Sequence, residues 1–415
     1  MFAPDLLEHI RARFAHVESC PFTGPRVFFE NAGGALTLNS VVATSAKFAA
    51  IPDNQGRDNP AAQALVGIID QARAGMRDFF NAPEGQIFVG ESGTELLFRL
   101  IADACLASAP GVVLGSTVEH PASRSACTRW AAVAGMDYVQ VPHDDARGLV
   151  TAEAYARHVT PDVRVATILH TSPVTGMAMD VAGIAAAIRA KAPDAIIIVD
   201  GIQHASHGRI DIAGYGIDGY VISPYKVFSR HGYGVAWASD RLTALPHDNL
   251  VGGPEHAWEL GTRDTGSYAT MSDVVGYFDW LGRQFSEAED RRARIEAAGA
   301  AIHAHEAALV SAMLHGTGNL PGLDELPGVH IVGGVDNAAR EGLVCFWAEG
   351  RASADLVAAL RDEGIRVHIR KNDHYSGNIL GPLGQADAVR VSLCHYNSMA
   401  EVRTFLAAMQ RILAA

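Results

Sequence analysis

Short runs of β-branched and apolar residues alternate with stretches of helical spacing along the middle of the chain. Gln86–Gly90, Gly111–Gly115, Tyr138–Val141, Val165–Leu169, Ile196–Asp200, Gly219–Ile222 and Gly234–Ala238 carry the strand signature. Between them, stretches such as Val181–Ala192 place apolar residues at helical intervals. That alternation predicts an α/β fold, a mostly parallel sheet with helices on both faces. In such sheets ligands bind beyond the carboxyl ends of the strands. Met271–Ala312 then reads as one long helix, with the charged stretch Glu287–Arg294 as its solvated face. After it, Val329–Val332, Gly342–Trp347 and Ala388–Leu393 read as strands interleaved with the helices Ala352–Glu363 and Met399–Ile412. These form a smaller α+β domain. The expected division is an N-terminal segment (1–30) packed with the small domain, a large domain (31–275) and the small domain itself (276–415).

A chain of 415 residues is long enough for two cores, and 48% hydrophobic content with 41 glycines fits a soluble α/β enzyme. The net charge of −13 argues against nucleic acid or an anionic membrane as partner. A phosphorylated ligand stays possible, because backbone amides hold phosphate within an acidic protein. The five cysteines, at 20, 105, 127, 345 and 394, form no C-x-x-C pair. Their spacing indicates neither a zinc site nor a thioredoxin-like site, so no metal is expected. Cys105 and Cys345 lie in apolar runs and read as core residues. No run of eighteen apolar residues occurs, and Met1–Phe14 mixes charge with apolar residues as a surface helix does. The expected location is a reduced cytoplasm.

The candidate chemistry lies at strand ends. Lys226 follows Gly219–Ile222 within Ser223-Pro224-Tyr225-Lys226, and Asp200 ends Ile196–Asp200. Pyridoxal phosphate needs this pair: a lysine amine for its aldehyde and a carboxylate that keeps its ring nitrogen protonated. Taken alone, the two residues also fit a solvated loop lysine and an ordinary strand end. Gly90-Glu91-Ser92-Gly93-Thr94-Glu95 joins a strand to the helical pattern Leu96–Ala104, a phosphate-binding arrangement or a plain N-cap. His120 follows Glu119 beyond another strand, where an imidazole can cover a flat ring or move protons. Gln203, in Asp200-Gly201-Ile202-Gln203-His204, is placed to bond a ring hydroxyl. Ser223 and Tyr225 offer hydroxyls to the same phosphate. His204 and His207 form a polar cluster or face solvent. Arg390, in Val389-Arg390-Val391-Ser392, is a candidate carboxylate clamp or a surface arginine.

These pieces, in this order, resemble the class V aminotransferases, the fold-type I pyridoxal phosphate enzymes that include cysteine desulfurases and isopenicillin N epimerase-like proteins. The resemblance runs from Asn31-Ala32-Gly33-Gly34 through Ser92-Gly93-Thr94-Glu95, Glu119-His120, Asp200-x-x-Gln203, Lys226, Gly261-Thr262 and Arg390-Val391-Ser392 to His395-Tyr396-Asn397. It implies Lys226 as the Schiff-base lysine and Cα acid/base, Asp200 on the ring nitrogen, Gln203 on the ring oxygen and His120 over the ring. It implies Gly93, Thr94, Ser223 and Tyr225 as phosphate contacts. Gly261 and Thr262 would reach the phosphate in the partner subunit, giving a homodimer with shared sites. Arg390 would hold the substrate carboxylate, and Asn31, Ala32 and Gly33 would line the entrance. Independently of the resemblance, Arg370 is a candidate for binding a distal carboxylate or an exposed loop residue.

The departures bear on the reaction. Desulfurases carry a loop cysteine ahead of the arginine strand, but here that stretch reads His368-Ile369-Arg370-Lys371-Asn372-Asp373-His374-Tyr375-Ser376-Gly377. The histidine usual before the lysine is Tyr225. The expectation is a lyase that expels a β-substituent from a small amino acid, with an aminotransferase or epimerase as the alternative and a non-catalytic binding partner as a third reading. His120, His204, His374 and Tyr375 are the candidates for a second acid/base.

Overall fold

The computed structural model describes residues 1–414. Seven strands form the large sheet: β1 (Gln86–Gly90), β2 (Val112–Ser116), β3 (Asp137–Val141), β4 (Val163–Leu169), β5 (Ile196–Asp200), β6 (Gly219–Ile222) and β7 (Gly234–Ala238). Their order is β1-β7-β6-β5-β4-β2-β3, and only β7 runs antiparallel to its neighbours. The central strands β5 and β6 are buried throughout, as strands covered on both faces must be. Separate apolar clusters fill the two faces, one around Ile197, Val199 and Ile222 and the other around Leu100, Ile198 and Val221.

The small sheet contains β8 (Val329–Ile331), β9 (Leu343–Ala348), β10 (His368–Lys371) and β11 (Asp387–Ser392), in the antiparallel order β8-β9-β11-β10. Strand β10 falls in the stretch read from sequence as the counterpart of a loop; its mixed polar content hides an edge strand. The N-terminal segment is laced to this domain. Val27–Phe28 pairs in parallel with Ile365–Arg366, and Phe29 is fully buried in the small-domain core. Arg11 donates to the Tyr396 carbonyl at 2.7 Å and pairs with Glu401.

The single helix expected over Met271–Ala312 is instead two, Thr265–Gly282 and Arg291–His315, packed on each other. Asp290 caps the second by accepting from the Ala293 amide at 2.8 Å. The charged stretch is therefore the turn and a helix start; its acidic residues Glu287, Glu289 and Asp290 are exposed, as a solvated stretch should be. Its Arg294 is buried and donates to Asp279 Oδ1 at 2.5 Å. Gly282 permits the crossing, since a Cβ there would lie 1.9 Å from the Arg294 carbonyl oxygen. Residue 275 thus lies inside a helix that packs on Pro60–Phe80.

Candidate active site

A pocket opens at the carboxyl ends of β4, β5 and β6, lined by Thr94, His120, Leu169, Pro173, Asp200, Ile202, Gln203, Ser223, Tyr225 and Lys226. Seven of the residues singled out in the sequence are thereby brought together.

The turn that presents Lys226 is built locally. Pro224–Lys226 forms a 3-10 turn in which the Lys226 amide donates to the Ser223 carbonyl at 2.9 Å. Phe228 follows at φ +69°, a left-handed conformation that costs a bulky residue about 1–3 kcal/mol. Burial of its ring among Phe14, Tyr277, Phe278 and His395 offsets that cost. Lys226 Nζ donates to Gln203 Oε1 at 3.3 Å. Burial, then the charge of Arg390, lowers its pKa to about 8, against the partial support of Asp200. The amine is thus half neutral near pH 8. The rate at which cofactor-free protein captures pyridoxal phosphate should therefore rise with pH and reach half its plateau near pH 8, not near 10.5. Stopped-flow absorbance across pH 6.5 to 10, a window chosen about these values, reads this directly.

Asp200 Oδ1 accepts from the Ile202 amide at 3.0 Å. Burial pushes this carboxyl up to about 6, so it is ionised at neutral pH and in want of a cation. His120 Nδ1 accepts from the Ala122 amide at 3.1 Å, capping the helix Pro121–Ala134. Burial and the nearby charges of Lys226, Arg370 and Arg124 hold its pKa down at about 3. Its imidazole is neutral, with any proton on Nε2.

Beside Ser223, the helix Gly93–Ala107 brings its N-terminus to the pocket through Thr94. Ser92 Oγ accepts only the Glu95 amide, at 3.1 Å, which leaves the first-turn amides of Gly93 and Thr94 for a ligand. A Cβ at Gly93 would lie 2.4 Å from Ser223 Oγ, and one at Gly234 would lie 2.6 Å from the Gly93 nitrogen. Only glycines admit this approach.

Behind the pocket His204 and His207 stand in a buried polar cluster, the first of the two readings their sequence allows, held by carboxylates that the sequence did not reveal. Gln203 Nε2 reaches His207 Nε2 at 3.2 Å, and His207 Nδ1 meets Glu306 Oε2 at 2.8 Å. Beside it, His204 Nδ1 meets Glu341 Oε1 at 2.7 Å, and Thr171 donates to Glu341 Oε2 at 2.8 Å. His204 stacks on His170 with ring centroids 3.5 Å apart. His204 and His207 are therefore neither solvent-facing nor free to act as acid/base. The neighbouring charge of Glu306 raises His207 against the opposing effect of burial. Cys394 completes a group whose ligand atoms lie within 4.8 Å of one another. The 2.8 Å contact of His207 with Glu306 is shorter than the roughly 3.3 Å between two ligands of one tetrahedral zinc, so the pair shares a proton.

The remaining candidates divide. Arg390 is buried, with Nη1 donating to the Pro173 carbonyl at 3.0 Å, beside the pocket wall. Asn31 does not line an entrance with its side chain: Nδ2 donates to the Ser392 carbonyl at 2.8 Å and to Asn397, and Oδ1 accepts from Tyr396. Ala32 gives its amide to Ser392 Oγ at 2.9 Å, while Gly33 and Gly34 pass against Arg390 and the Tyr225 ring. Tyr225 stacks on His231 at 4.3 Å. Gly261 and Thr262 are exposed and do not line this pocket. His374 is exposed and gives its carbonyl to Arg124, whereas the Tyr375 ring lies 6.0 Å from that of His120. All five cysteines are buried and none lines the pocket.

A lysine, an ionised buried carboxylate and a glycine-gated helix N-terminus around one pocket define a pyridoxal phosphate enzyme. The aminotransferase class-V family model matches residues 27–405, and the chain belongs to that family. It is 26% identical to the aminotransferase-like protein FGM3 of Gibberella zeae, over 98% of both chains. It is also 26% identical to a probable cysteine desulfurase of Xylella fastidiosa, over 98% of this chain and 95% of that one. Among solved structures, a cysteine desulfurase from Thermococcus onnurineus shares the fold with a TM-score of 0.82 at 22% identity, covering 100% of this chain and 99% of that one. The cysteine desulfurase CsdA of Escherichia coli does so at 0.79 and 22%, with the same coverage. The fold-type I architecture expected from the sequence is thus the one observed, and the residues present fit the family's cofactor.

Proposed function

We propose that the protein is a desulfurase-like lyase, expelling a substituent from Cβ of a small amino acid without a thiol of its own. The observation that carries this reading is a complete lysine, aspartate, glutamine and histidine set in a pocket that no cysteine lines. Two cysteines lie at the arginine strand, Cys394 just past its end and Cys345 opposite Arg390 on the paired strand; both are buried and burial pushes both thiols up, so neither acts as a nucleophile.

Pyridoxal phosphate, when bound, supplies the electron sink that lets a bond at Cα break. In the proposed assignment Asp200 holds its ring nitrogen, Gln203 its ring oxygen, and Gly93, Thr94, Ser223 and Tyr225 its phosphate. Lys226, neutral above pH about 8, takes the proton from Cα. Arg390 fixes the α-carboxylate and so orients the Cα–H bond. His120, neutral and facing the same space, covers the ring. The exposed Gly261 and Thr262 serve the phosphate of a second protomer in a cytoplasmic homodimer.

The test is incubation of the purified holoenzyme with alanines substituted at Cβ through sulfur, selenium or oxygen. Equimolar keto acid and ammonia, with the cofactor's absorbance regained after turnover, is the expected result. Conversion to the amine form without ammonia would make the protein an aminotransferase, and inverted substrate alone an epimerase.

A further inference from the structure

Two guanidinium groups share one face of the small sheet beside the pocket. Arg390 in β11 stands opposite His368 in β10, and Arg370 in β10 stands opposite Ala388. Opposed residues point to the same face, so Arg370 and Arg390 are diagonal neighbours about 7–8 Å apart. Both act on Lys226, lowering its pKa by their charge.

Among the described residues neither is paired with a carboxylate. Arg390 uses Nη1 on the Pro173 carbonyl, and its buried Nε has no acceptor. Arg370 gives Nε to Ser376 Oγ at 2.7 Å, which fixes its plane and leaves both Nη groups without a protein acceptor. The nearby carboxylates are engaged elsewhere. Glu30 is bound to Arg366 at 2.6 Å and to His368 at 3.2 Å. Asp373 accepts the amides of Tyr375 at 2.8 Å and Ser376 at 3.3 Å. Two unpaired cations facing each other repel, and an anionic ligand removes that repulsion. One α-carboxylate can occupy only one of the two forks. The cofactor's phosphate is assigned above to the Gly93 helix N-terminus, which packs against Ser223.

We propose that Arg370 forms a second anion subsite and that the substrate is an alanine whose β-substituent itself ends in a carboxylate. The α-carboxylate sits on Arg390 and the distal one on the free Nη edge of Arg370, a bidentate pairing that arginine geometry favours. This rests on the lyase reading above, and the two can be told apart.

The experiment compares S-(carboxymethyl)cysteine with S-ethylcysteine, of similar length but without the distal charge. The wild-type holoenzyme should prefer the acid by about 10–100-fold in kcat/KM. Arg370→Met, which keeps an unbranched apolar chain, should abolish the preference, kcat/KM for the acid falling about 10–100-fold further than kcat/KM for S-ethylcysteine, so that the ratio of the two is the readout; Arg370→Lys should restore part of it. Equal turnover of the two substrates by wild type overturns the subsite and leaves the lyase reading intact. If neither is turned over, the lyase reading fails, and binding still decides the subsite. Succinate or glutarate must then perturb the cofactor's absorbance at concentrations at least about tenfold below butyrate, and equal affinity rejects the proposal.

Discussion

Lys226→Ala will fold and lose turnover by at least about 10⁴-fold, because covalent capture of the cofactor and proton transfer at Cα are lost together. The fold should tolerate it. A lysine whose pKa is driven down to about 8 by burial is an unfavourable charge in the native state below that pH. The sign follows from proton binding. Between about 8 and 10.5 the unfolded chain holds a proton that the folded one does not, so this group's contribution to stability falls as pH drops through that window. Alanine removes the penalty and leaves only Gln203 Oε1 without its 3.3 Å donor. Thermal melts at pH 7 should match or exceed wild type, while the purified variant lacks the Schiff-base absorbance. Activity within tenfold of wild type would remove Lys226 from the mechanism.

Asp200→Asn is the sharper probe, since it preserves shape. The asparagine oxygen can still accept the Ile202 amide, which the aspartate takes at 3.0 Å. What disappears is the negative charge facing the pocket. Without it the cofactor's ring nitrogen is not kept protonated and the ring withdraws electrons less effectively, so kcat should fall by about 10²–10⁴-fold while cofactor still binds. The wild-type carboxyl, raised to about 6 in the cofactor-free protein, should titrate lower once a ring nitrogen pairs with it. A change of kcat below tenfold would show that Asp200 is not that partner.

The pocket residues were legible because each sits just past a strand, and strands announce themselves through β-branched runs. Asp200, Ser223 and Lys226 needed only their own few neighbours to be placed. The polar cluster of His204 and His207 was legible as one of two readings, but its carboxylates were not, because tertiary contact brings them there. Glu306 meets His207 from 99 residues away and Glu341 meets His204 from 137. One signal existed: Ile302, Glu306, Leu309 and Met313 share a helix face, and all are buried, so the glutamate stands in a core row. A carboxylate there demands a partner. The break between Gly282 and Arg291 was missed because no proline marks it; Asp290 as an N-cap was the available cue. The entrance role of Asn31 rests on the resemblance alone, and its polar atoms are spent on Ser392, Asn397 and Tyr396.

The lacing of the first residues to the last strand has a mechanical meaning. Arg11 to Glu401, Phe28 to Arg366 and Asn31 to Ser392 close the two chain ends into one girdle that includes the strand carrying Arg390. A swing of the small domain drags residues 27–32 with it, so that segment and Arg390, the proposed carboxylate anchor, travel as a single lever instead of two independent parts. A protease nick between Arg11 and Asn31 would therefore slacken the grip on the substrate before it loosened the seven-stranded sheet.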